Sequence, residues 1–136
     1  MIQLTNSTEL TLAPGQIAVF DTVLIDNKSC ATCARPGTGS IKMCQCGIYE
    51  VRFGGNIGVS GADGIAQLTV QVGGVNLNPY TVQSETSTAG DLNAVEKTFW
   101  VDNCCCDYSR LTVANTGTTT VSIGAGAIFS ARKICN

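Results

Sequence analysis

Apolar and polar residues alternate along most of this chain, and a period of two marks strands with one buried face. In GIYEVRF (residues 47–53), Tyr49, Val51 and Phe53 fall on one face and Ile48, Glu50 and Arg52 on the other. The first set is uniformly apolar and is the expected core face. The same alternation, or enrichment in β-branched and aromatic residues, predicts strands within 16–25, 47–57, 66–72, 95–101, 110–116 and 120–134. Glycine-rich breaks separate them. Gly73-Gly74 is a ready two-residue hairpin turn, because glycine accepts positive φ without a Cβ clash. Residues 84–97 are the one helix-like stretch, and their small polar content reads as loop. Many short strands, glycine turns and no long helix predict an all-β protein, an antiparallel jelly-roll β-sandwich of about 8–10 strands. No repeat or linker divides the chain, so 1–136 reads as one domain, with 1–15 a segment for attachment or oligomer contacts.

The last predicted strand, 120–134, is longer than the usual five or six or so residues. Its glycines, Gly124 and Gly126, point to a bulge or a close backbone approach. A long apolar strand left on an edge templates aggregation, and burial against other copies would remove that hazard. Self-assembly is therefore a first expectation.

Composition then excludes several functions. Hydrophobic residues are 44% and charged residues 13%, which favours a packed core over disorder. The net charge is −2 and the eight Lys and Arg are scattered, whereas nucleic-acid binding needs clustered basic residues. No run approaches the roughly 20 apolar residues of a membrane helix. The N-terminus lacks the basic and apolar regions of a secretory signal, so the chain is expected to be made in the cytoplasm. There is no histidine, which removes the commonest general base and metal ligand. Asp63, Asp91, Asp102 and Asp107 sit in or beside Gly/Asn-rich turns and read as turn formers, not a catalytic pair. No phosphate-binding loop or nucleophile elbow is present. The chain is thus expected to be no enzyme and to carry no cofactor.

Eight cysteines are the remaining chemistry: Cys30 and Cys33 as C-x-x-C, Cys44 and Cys46 as C-x-C, Cys104, Cys105 and Cys106 in a row, and Cys135. All eight are disulfide candidates, and disulfides persist in oxidising surroundings. The alternatives are zinc held by Cys30, Cys33, Cys44 and Cys46, although C-x-C is the poorer chelating pair, and free buried or reactive thiols. In an extended strand Cys105 points away from Cys104 and Cys106, so the triplet needs partners elsewhere. Phe99 and Trp100, on opposite faces before the triplet, read as core packing. Tyr80 and Tyr108 read as half-buried strand residues or interface anchors, and Asn115-Thr116-Gly117 as a turn.

The order of segments resembles the trimeric jelly-roll superfamily of tumour necrosis factor and the complement globular heads. Within it, the likeness is to the C-terminal domains of collagen-like exosporium glycoproteins and to small phage structural proteins. The carrying elements are Gly47 to Val51, Leu68 to Gly73, and Ile128 to Ile134 with Arg132 and Lys133. The collagen stalk is missing, and the cysteine-rich segments are not part of the family pattern. The resemblance implies a homotrimer, with Tyr49, Phe53, Ile128 and Phe129 as trimer-interface candidates, and a surface role without catalysis. The expected setting is the exterior of a phage virion, as a capsid decoration, head-fibre or neck protein bound to a major capsid or coat protein. The alternatives are a spore surface, or a module that binds a cell-surface glycan.

Overall fold

The structure, a computed structural model, describes residues 1–27, 31–34, 37–61, 64–76, 78–86, 88, 90–103 and 109–135. Its strands are β1 (Ile2–Thr5), β2 (Leu10–Leu12), β3 (Thr22–Asp26), β4 (Thr32–Ala34), β5 (Ile41–Met43), β6 (Gly47–Val59), β7 (Gly64–Val72), β8 (Thr81–Thr86), β9 (Asn93–Asn103), β10 (Arg110–Asn115), β11 (Val121–Ile123) and β12 (Ile128–Cys135). A single 3₁₀ turn, Asn78–Tyr80, precedes β8, and there is no α-helix among the described residues. The protein is all-β, with two antiparallel sheets packed as a sandwich.

Seven strands form one sheet in the order β2-β11-β6-β12-β1-β3, with β9 on the other side of β6. Five form the second, in the order β4-β5-β10-β7-β8. The axis of the larger sheet is β6. Residues 47–57 of it pair with β9, while Ile48 to Gly54 pair with β12 and Ile57 to Val59 with β11. Its alternation is the one read from GIYEVRF: Tyr49, Val51 and Phe53 are buried between the sheets, and Glu50 and Arg52 face outward. Ile2, Leu4 and Phe129 join them from the same sheet, and Leu68, Val70, Leu111 and Val113 from the other. Phe20, outside any strand, closes the core with its ring 5.5 Å from that of Phe129.

Three sequence readings are corrected. Residues 84–97 are not one loop, because β8 runs to Thr86 and β9 begins at Asn93. Of 16–25 only the second half is a strand; Ile17 makes an isolated bridge to Ala114. The long final strand divides into β11 and β12, both paired to β6, around a break at 124–127. There Gly124 N donates to Asn56 O and Gly126 N to Asn6 O. Both halves are interior, flanked on the far side by β2 and β1, so the sheet itself covers this apolar strand and its length is no argument for self-assembly. The Gly73-Gly74 turn forms as expected, both residues at positive φ and Val72 bridged to Val75.

Residues 1–15, expected as an attachment segment, supply β1 and β2. Ile2, Leu4 and Leu12 are buried, so these residues are part of the sandwich.

Candidate functional site

The topology carries the described cysteines to one end of the sandwich. Cys44 and Cys46 lie in the turn from β5 into β6, and Cys33 lies on β4, hydrogen-bonded to β5. Cys135 ends β12 opposite Ile48, after a register shift. Asn103 ends β9 opposite Gly47 at this same end, and its amide donates to Gln45 O at 2.9 Å. Ser109 O accepts from Met43 N at 3.0 Å. The residues flanking 104–108 are therefore both tied to the segment that bears Cys44 and Cys46. Cys30 and the triplet Cys104, Cys105 and Cys106 lie outside the described residues, as do Asp63, Asp107 and Tyr108.

Tyr49 organises this end. Its buried hydroxyl sits 2.9 Å from both Ala31 O and Gln45 O, to which it donates, and accepts from Gln45 N at 3.3 Å. Burial raises its pKa. Cys44 N donates to Ala31 O at 2.8 Å, which holds the start of β4 against the turn. The sulfur atoms of Cys33 and Cys44 stand 2.6 Å apart. Burial first, then the hydrogen bond and charge of Cys33, push the Cys44 thiol up to about 11, against the opposing pull of Lys42 and Arg110. Cys46 is disulfide-bonded. Among the described residues no group of three or more Cys, Asp or Glu side chains gathers as a metal site. Of the described thiols in the zinc alternative, Cys33 and Cys44 meet each other.

The second feature is the outer face of the larger sheet. Arg132 and Glu50, directly opposed on β12 and β6, pair at 3.0 Å, and Arg52 pairs with Glu96 of β9 at 2.9 Å. Such exposed pairs set register more than stability. Beside them a shallow cavity of about 360 Å³ is lined by Arg52, Asn56, Val95, Glu96 and Ile128 among others. Trp100, opposite Glu50, is 67% exposed. The expectation that Trp100 packs in the core is thus corrected. Phe99 alone turns inward, stacked on half-buried Tyr80 at 4.1 Å between ring centroids.

The four trimer-interface candidates separate in the same way. Tyr49, Phe53 and Phe129 lie within the core of one chain, whose own second sheet covers them. Ile128 is half-buried and lines the outer cavity. Asp102 lies within β9 rather than in a turn. Asn115 does what a turn residue should: its amide donates to Leu12 O and Thr119 O, and its carbonyl accepts from Gly117 N.

Sequence reasoning missed Asn6. It is buried, donates to Thr8 O and Gly124 O, and accepts from Ala127 N, so it clamps the break between β11 and β12. The available signal was the pairing of Gly124 and Gly126 with some other backbone, which named the break and not its partner.

Fold and site together define a class: an antiparallel two-sheet building block with a thiol-bearing end and a charged outer sheet face. No family model matches the sequence, and no curated protein matches it. Among solved structures, the chain is similar to the PRD1 vertex protein P5. The two are 14% identical with a TM-score of 0.54, and the alignment covers 98% of this chain and 95% of that one. At that identity the likeness is one of fold.

Proposed function

We propose that this protein is a non-enzymatic structural component of a phage virion, placed on the particle's exterior and assembled with other virion proteins. The observation that carries the reading is the end-to-end likeness of fold to a phage vertex protein, with little of either chain left over. The absence of histidine and the turn and strand positions of the described aspartates support a role without catalysis. Within this reading the chain acts as a homotrimer fastened by disulfides. The outer face of the larger sheet is the surface that fits a second copy. It joins an exposed tryptophan and Ile128 to two Arg–Glu ion pairs, a mix of aromatic, apolar and charged groups suited to a contact between copies.

The test is immunogold electron microscopy, with antibody to this chain, of particles induced from the strain that carries the sequence. Label on particle exteriors is expected. Label confined to spores or to the soluble fraction would overturn the reading.

A further inference from the structure

The 31–46 region brings two thiols together from opposite strands of a hairpin. Cys33 is directly opposite Lys42 in the antiparallel register, and Cys44 lies two residues beyond Lys42, so Cys33 and Cys44 stand on one face of the hairpin. The Cys44 N to Ala31 O hydrogen bond extends the pairing past β5 and keeps that register. On this frame the sulfurs reach 2.6 Å, closer than a thiol hydrogen bond requires and beyond the roughly 2.05 Å of a covalent bond. Cys33 is exposed, while Cys44 is half-buried behind it. The surrounding backbone is already fixed by the Tyr49 hydroxyl, so joining the sulfurs asks little movement of the strands.

We infer that Cys33 and Cys44 form a cross-strand disulfide, a latch that fastens β4 to the turn entering β6 when the chain meets a low-molecular-weight disulfide or an equivalent oxidant. Exposed Cys33 loses its proton and its thiolate attacks one sulfur of the small disulfide RSSR. One RS⁻ leaves and takes up a proton. Cys44 then gives up its proton, attacks the Cys33 sulfur of the mixed disulfide and releases the second RS⁻, which is protonated in turn. Two protein thiols are oxidised to one disulfide, and one RSSR is reduced to two RSH. The inference takes from the reading above only the oxidising surroundings. It fails or stands on purified protein, whereas that reading fails or stands on labelled particles.

The experiment equilibrates the full chain in glutathione buffers from fully reduced to fully oxidised, traps thiols with N-ethylmaleimide and digests with trypsin. Cleavage after Lys42 separates the two cysteines, and tandem mass spectrometry of the joined peptides locates the bond. The expected result is a Cys33–Cys44 crosslink that appears on oxidation with loss of two hydrogen atoms. It should be absent in Cys33→Ser and Cys44→Ser and retained in Cys30→Ser. Cys33 is exposed, so its serine variant is expected to fold, and circular dichroism checks that. The inference is overturned if both cysteines carry maleimide in the oxidised wild type, or if either is joined to another cysteine. Intact mass retaining zinc that a chelator removes would overturn it as well.

Discussion

Tyr49 shows two levels of information in one side chain. Its place in the core was legible in the alternation of GIYEVRF, because a period of two assigns faces without knowledge of the partner sheet. The destination of its hydroxyl was not, since Ala31 lies 18 residues away and only the folded hairpin brings it near. Replacing Tyr49 by Phe keeps the apolar packing and removes the donor to two carbonyls, one of which also receives Cys44 N. Urea unfolding is expected to show a loss of about 1–2 kcal/mol. Beside it, the Cys44 thiol binds its proton more tightly in the folded chain than unfolded, at about 11 against an ordinary 9.0. A raised folded value means that this stabilisation is complete below pH 9 and is lost as pH rises from 9 to 11. Reduced wild type should therefore fall in stability across that window more steeply than reduced Cys44→Ser. Parallel pH profiles for the two would contradict the assignment.

At the scale of elements, strands with a clean one-sided alternation were legible, and those whose limits depend on neighbours were not. The limits of β9 are one such miss, since a strand was expected over 95–101 and it runs Asn93–Asn103. Its first residues, Asn93 and Ala94, carry no strand signature and are extended because they pair with Asn56 and Ile57 of β6. The break at 124–127 was announced by its glycines, but the clamp of Asn6 comes from more than a hundred residues away. Close approach is also what Gly58 provides. A Cβ on it would collide with the Asp91 carbonyl, which passes over β6 at the start of the β9 approach. Its sequence context, a glycine in a strand, permits a bulge as readily as a crossing. Gly58→Ala is expected to cost about 3 kcal/mol in thermal or urea unfolding. Gly61→Ala also replaces a glycine, but at positive φ with open space, and should cost about 1 kcal/mol through backbone conformation alone.

For the whole molecule, the fold class followed from strand number, turns and the lack of a helix, and the structure bears this out as two antiparallel sheets. A subunit interface is harder to read from sequence. Apolar residues of one strand look alike whether they face the chain's own second sheet or another subunit, and here Tyr49, Phe53 and Phe129 went inward while Trp100 did not. Polar alternation left the outer face with charges, and opposite charges there read as ordinary solvated surface until the register pairs them. If copies meet on this face, Ile128→Arg should shift sedimentation from trimer to monomer at micromolar concentration without altering circular dichroism. A wild-type chain that sediments as a monomer would remove the trimer.

The described thiols converge at one end, and among the described residues the other is held by hydrogen bonds and packing. There Ser60 N donates to Thr120 O, and Asn115 bridges Leu12 and Thr119 by amide hydrogen bonds. No cysteine lies within 10–12, 57–60 or 115–123, the described stretches that meet at that end. Once oxidised, such a molecule is mechanically lopsided, hinged shut at one rim and zippered at the other. Opening should start at the zippered rim, and native-state amide exchange should be faster at Ser60 than at Tyr49, with the gap widening on oxidation.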